Sequence, residues 1–217
     1  MMRIGIFGGT FNPIHIGHLR AAEEVRQKAN LNKVIFIPSG NPPLKTQGIL
    51  PASMRFEMVR LALNGHDAFE ISNIELNDTE ERSFSVLTIQ RLLETYNAHL
   101  FFMLGTDAFL EIPFWHEPDK LMSMIDFIIM TRPGIPLKKL YESRYIVDTD
   151  CYKESLQEDE TFTLRLTTGK TAMLVDISHL DISSTKIRRL ITSGKSIRYL
   201  VTESVYHFIT LHNLYTG

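Results

Sequence analysis

Residues 4 to 18 read I-G-I-F-G-G-T-F-N-P-I-H-I-G-H, and this window constrains the fold more than any other part of the chain. Ile4, Ile6 and Phe7 form an apolar run long enough for one buried strand and too short for a spanning or signal helix. Gly8 and Gly9 remove the Cβ where the backbone turns and comes close to a ligand. Asn12-Pro13 marks a turn, because Pro13 has no N–H and drives Asn12 out of the helical region. From about Gly17 to Asn30 the pattern is helical, with Leu19, Ala22, Val25 and Ala29 on one face. Strand, glycine-rich turn and helix together make a phosphate cradle, since unpaired N–H groups and the positive end of the helix dipole face one point. His15 and His18, three apart at the helix entrance, can both face one bound group.

Each part of this window has an ordinary explanation when taken alone. A glycine-rich strand–turn–helix is common in α/β folds, and a histidine pair is more often surface than machinery. A zinc pair would need third and fourth ligands that are not evident. Other phosphate motifs fail on spacing. Gly5 and Gly8 do not give G-x-G-x-x-G, and the Gly-Lys-Ser at 194–196 and Gly-Lys-Thr at 169–171 have Arg189 and Leu164 where a P-loop needs glycine.

With 217 residues and ordinary apolar and charged fractions (44% and 22%), the chain is expected to form a single domain over 1–217, with a C-terminal helical subregion at about 183–217. A net charge of −2 gives no basic excess for nucleic acid. No apolar run or leader points to a membrane. The single cysteine, Cys151, excludes an internal disulfide and fits a reducing cytoplasm, so a cytoplasmic protein is expected. Oligomeric state is left open.

Strand-like runs at Lys33–Pro38, Phe69–Ile74, His99–Leu104, Ile125–Thr131, Phe162–Leu166 and Met173–Val175 alternate with helical stretches over much of the chain. That order predicts an α/β fold, a Rossmann-like doubly wound parallel sheet with a small C-terminal helical portion, binding ligands at the carboxyl ends of its strands. Ser53, and Ser83 or Ser85, are the expected caps of the second and third helices, and Met54, Met58, Leu61 and Ala62 the inward face of the second. Lys45 is the one cation in the long loop 39–52 and a candidate phosphate contact or a plain solvated lysine. Asp107, after Gly105, sits where it could accept from a ribose hydroxyl or merely cap a helix. Trp115, between Pro113 and Pro118, is expected to stack on a ring rather than fill a core. Residues 135–171 carry no functional reading.

A second anion site is expected at D-I-S-S-T-K-I-R-R (181–189), where hydroxyls, helix-start N–H groups, Lys186 and Arg188 meet. Two phosphate sites on one sheet suit a triphosphate held at both ends. No serine–histidine nucleophile pair or poised cysteine is evident. This fits nucleotidyl transfer, in which the acceptor's own phosphate attacks and catalysis is positioning plus charge stabilisation by cations, helix N-termini and Mg²⁺ carried with the ATP phosphates.

The window Gly8–His18 resembles the signature of the nucleotidylyltransferase superfamily, and His-Ile-Gly-His also matches class I aminoacyl-tRNA synthetases. Ile182–Arg188, Gly105-Thr106-Asp107, the Trp115 loop and Gly194–Val201 make the chain similar to the bacterial nicotinate-nucleotide adenylyltransferases. That resemblance implies ATP and nicotinate mononucleotide as substrates, deamido-NAD and pyrophosphate as products, and no nucleic-acid or membrane partner. It implies that Gly8, Gly9, Thr10, Phe11, His15, His18, Ile182, Ser184, Thr185 and Arg188 serve the ATP phosphates, with His15, His18 and Arg188 catalytic. Gly105 and Asp107 would meet the adenosine, and no protein metal ligands are expected. Trp115 would stack on the pyridine ring, Lys45 would serve a phosphate, and N–H groups near Ser85 and His116 would take the pyridine carboxylate. Two positions depart from the family: Leu44 stands for a histidine and Leu87 for an aspartate. Alternatives are nicotinamide mononucleotide or phosphopantetheine as acceptor, a non-catalytic nucleotide-binding regulator and an aminoacyl ligase.

Overall fold

A computed structural model describes residues 1–42, 48–76, 82–147 and 160–216. Lys45, Leu44 and Cys151 lie outside the described residues. The strands are β1 (Arg3–Gly9), β2 (Lys33–Pro38), β3 (Phe69–Ile71), β4 (His99–Gly105), β5 (Asp126–Met130), β6 (Thr161–Arg165) and β7 (Thr171–Val175). They form one sheet in the order β3-β2-β1-β4-β5-β7-β6, parallel throughout except for the antiparallel β6–β7 edge pair. The chain therefore runs outward from β1 to β3, crosses back, and continues from β4 on the other side. The crevice between the carboxyl ends of β1 and β4 is the switch point where such sheets bind ligands.

The helices are α1 (Ile16–Lys28), α2 (Ala52–Leu63), α3 (Ser85–Thr95), α4 (Thr106–Glu111), α5 (Pro118–Met124), α6 (Lys138–Tyr141), α7 (Ser184–Thr192) and α8 (Glu203–Leu211). Each central strand is buried on both faces, and the period of two divides its side chains between two cores. Ile4, Ile6, Ile35, Ile37, Phe102, Leu104, Phe127 and Ile129 pack with α3, α4 and α5 residues such as Val86, Ile89, Phe109 and Leu121. Phe7, Val34, Phe36, Phe101, Met103, Ile128 and Met130 pack with α1, α2, α7 and α8 through Ala22, Val25, Met58, Val59, Ile187, Val205 and Ile209. Gly5 is the one gap this pattern needs, since a Cβ there would lie 2.4 Å from Met103 Sδ. Among the described residues no helix is long and apolar enough to cross a membrane.

The helix starts differ from the sequence expectation. Pro51, not Ser53, caps α2, and Phe84, not a serine, caps α3. Ser83 Oγ instead accepts from Asn41 N–H (2.9 Å) and ties the α3 entrance to the loop after β2. Arg55, Met58, Val59 and Leu63 are the fully buried residues of α2, and Met54, Leu61 and Ala62 pack partly buried against the same core. Arg55, only 1% exposed, joins this face because its guanidinium donates to Leu50 O (2.9 Å), Thr10 O (2.8 Å) and Gly40 O (3.1 Å). Burial holds its pKa below the usual arginine value. Replacing Arg55 by Leu would strand three carbonyls, and urea unfolding is expected to show a loss of about 3–5 kcal/mol. A loss below about 1 kcal/mol would mean that water takes over all three bonds.

Candidate active site

Two cavities open at the switch point. The larger, about 930 Å³, lies over the carboxyl ends of β1, β4 and β5 and reaches the start of α7. The smaller, about 400 Å³, lies between the β1 and β2 ends, the α3 entrance and the Phe114–His116 turn. They meet at Gly8, Gly9, Thr10, Met103, Leu104, Ala108 and Trp115.

The larger cavity is lined by Gly8, Gly9, Thr10, Phe11, His15, His18, Gly105, Asp107, Ile182, Ser184, Thr185 and Arg188. Phe11 takes a left-handed backbone (φ 46°) and buries its ring, 3% exposed, edge-on against Phe7 and His18. Only its main chain can serve an anion. His15 caps α1, and its ring stacks on His18 with centroids 3.6 Å apart. His18 Nδ1 accepts from His15 N–H at 3.3 Å, which leaves the proton of a neutral His18 on Nε2. Gly17 has no side chain because a Cβ would lie 3.1 Å from His15 Nδ1.

Where the sequence suggested a second anion site, Ser183 caps α7, its side chain accepting from Lys186 N–H. Ser184 Oγ donates to Pro13 O (2.8 Å), and Arg188 donates to Asn12 O (2.8 Å) and to Thr185 Oγ1 (3.3 Å). These bonds pin the α7 start to the β1–α1 loop. Lys186 does not join the site as the sequence suggested. Its ammonium pairs with Asp181 (2.7 Å), away from the cavity wall. Asp107 forms a loose pair with Arg132 (3.6 Å) over Gly105, where a Cβ would meet both side chains.

Ser85, Trp115 and His116 line the smaller cavity. Phe84 and His116 stack at 4.1 Å on its wall. Trp115 is both wall and core. It is half-buried, edge-on to Phe102 at 6.4 Å, and its buried Nε1 has no hydrogen-bond partner among the described residues. Leu87 packs partly buried against the first core, which explains how this chain accommodates an apolar residue there.

A family model described as cytidylyltransferase-like matches residues 6–190. A Desulfatibacillum aliphaticivorans protein is 39% identical over 217 residues, covering 99% of this chain and 100% of its own. A Geobacter metallireducens protein is 40% identical over 219 residues, covering 99% of both. Both are named "Probable nicotinate-nucleotide adenylyltransferase". The chain belongs to the nicotinate-nucleotide adenylyltransferase family. The fold is shared with a solved Plasmodium falciparum nicotinic acid mononucleotide adenylyltransferase complexed with NaAD (TM-score 0.73, 20% identity, covering 99% of this chain and 98% of that one).

Three site residues of this adenylyltransferase-family chain escaped the sequence reading. Arg132 follows β5 in the T-R-P-G turn, and its position at a strand's carboxyl end was the available signal. Asn12 was read only as a turn residue. Its amide donates to Gly48 O (2.9 Å), and its Oδ1 accepts from Leu50 N–H (3.3 Å) and Tyr215 Oη–H (2.8 Å). Tyr215, 203 residues away, gave no signal. Burial holds its hydroxyl above the usual phenol range.

Burial, and then the Arg132 guanidinium, push His15 from 6.5 down to about 4, so its imidazole is neutral at physiological pH. Between those values the unfolded chain binds a proton that the folded chain does not. Stability therefore falls as pH drops through that window, by about 3 kcal/mol from this group. His15→Asn should flatten the pH dependence of the urea midpoint there. Parallel slopes for the two proteins would exclude this linkage.

Proposed function

We propose that this chain, acting as one domain, joins ATP to nicotinate mononucleotide, giving nicotinate adenine dinucleotide and pyrophosphate. The observation that carries this reading is the junction of a nucleotide-sized cavity and an acceptor-sized cavity at Gly8–Thr10. There an acceptor phosphate and the ATP α-phosphorus can approach in line. Attack on that phosphorus breaks its bond to the bridging oxygen of pyrophosphate and needs no general base. His15 and His18 act as donors to phosphoryl oxygens as charge moves toward pyrophosphate. The α7 N-terminus, Ser184, Thr185 and the remaining donors of Arg188 hold the leaving end. Gly8, Gly9, Thr10 and the Phe11 main chain line the phosphates, Ile182 borders the nucleotide, and Gly105 and Asp107 meet the adenosine. On the acceptor side, Trp115 offers a face to the pyridine, and N–H groups at Ser85 and His116 suit its carboxylate. Lys45 is assigned a phosphate.

Among the described residues no group of three or more His, Cys, Asp or Glu is placed to hold a metal ion. The donors around the larger cavity include the His15 and His18 imidazoles, the Ser184 and Thr185 hydroxyls and the Arg132 and Arg188 guanidiniums, a set that complements a metal-bound triphosphate. Mg²⁺ fits as a passenger on the ATP phosphates, where it supplies charge neutralisation. The assigned location is the cytoplasm.

The experiment is pyrophosphate release from ATP and Mg²⁺ with nicotinate mononucleotide, nicotinamide mononucleotide or phosphopantetheine as sole acceptor. Nicotinate mononucleotide is expected to be strongly preferred, and preference for another acceptor would move the function while keeping the ATP site. His18→Ala is expected to lose at least ~2–3 kcal/mol of transition-state stabilisation in kcat/KM, with ATP binding much less affected. Near-normal turnover in that variant would remove the role given to the motif.

A further inference from the structure

The α1 helix carries a buried carboxylate that the reaction above does not use. Glu24 is 4% exposed. Its Oε2 accepts from Ser178 N–H at 2.7 Å, and its Oε1 from Arg20 Nε at 2.5 Å. Burial alone would raise its pKa, but bonds from Ser178 and then Arg20 more than reverse this and hold it below the usual carboxylate range. One helical turn on, Lys28 Nζ donates to Asp176 O (3.0 Å). The Asp176 carboxylate accepts from Thr131 Oγ1 (2.6 Å), next to Arg132.

Ser178 lines the larger cavity, on the stretch that leads from β7 into the 182–185 hydroxyls and Arg188. The same helix presents His15 and His18 at its N-terminus and grips this stretch from its middle. Its own rigidity thus fixes the spacing between the two ends of the nucleotide cavity. An ion pair for fold stability alone would not need a buried acceptor aimed at a main-chain N–H in the cavity wall. We propose that Glu24 is a positioning residue for ATP: through the Ser178 N–H it sets the distance between the His15–His18 pair and the α7 phosphate site. This rests on the reading that the larger cavity holds ATP.

Glu24→Gln keeps an oxygen that can accept from Ser178 N–H and loses the charge facing Arg20. Glu24→Asp keeps the charge but stops one methylene short of Ser178. Calorimetric titration with Mg-ATP, without acceptor, is read beside steady-state kinetics and thermal midpoints. Glu24→Asp should weaken ATP binding and raise the KM for ATP roughly tenfold, leaving the acceptor KM within about twofold. Glu24→Gln should stay within about threefold of the parent in all three. Weakening in Glu24→Gln with Glu24→Asp unaffected would make charge the cause and overturn the proposal. A lowered midpoint in Glu24→Asp with unchanged ATP binding would overturn it too, leaving Glu24 a strut of the fold. Because the titration needs no acceptor, normal ATP binding without adenylyl transfer would sink the proposed function alone. Failure of the unaltered protein to bind ATP would sink both.

Discussion

The site depends on how the carbonyls of the β1–α1 loop are held. Carbonyl dipoles facing a bound anion would repel it, and four carbonyls here are met by donors from distant parts of the chain. Gly9 O accepts from Ser39 N–H, Thr10 O from Arg55, Asn12 O from Arg188 and Pro13 O from Ser184. The Asn12 side chain adds bonds to Gly48, Leu50 and Tyr215. The loop is therefore the meeting point of β2, α2, α7 and the C-terminus, and it takes its shape only when all four are in place.

This arrangement also accounts for the charge balance. The cations lining the larger cavity, Arg188 and Arg132, are engaged by the Asn12 carbonyl and Thr185 hydroxyl and by a loose pair with Asp107. Arg55 is buried out of reach, and Lys186 is turned to Asp181. His15 beside them stays neutral, because its charged imidazole would be both buried and close to Arg132.

Features that follow from local pattern were legible in the chain. β1 and β2 showed as apolar runs, and the Gly8–His18 and Ile182–Arg188 windows as helix entrances rich in donors. Ser53 and Ser83 looked like caps because hydroxyls before helices usually are. Neither is, since Arg55 anchors α2 from within and Ser83 is bonded to Asn41. Arg55 was left off the inward face of α2. A hydrophobic pattern does not count an arginine as a core residue.

The sequence by itself determined the class of sheet, the two donor-rich helix starts and the histidine pair, because each rests on periodicity or on residues within one turn of one another. Tertiary structure alone decided which donors hold the loop, which cations reach the cavity and which is diverted, and how a carboxylate on α1 comes to hold Ser178, 154 residues away. Those outcomes come from pairings across the sheet's switch point, and a partner's identity is not encoded in the residues that flank either member.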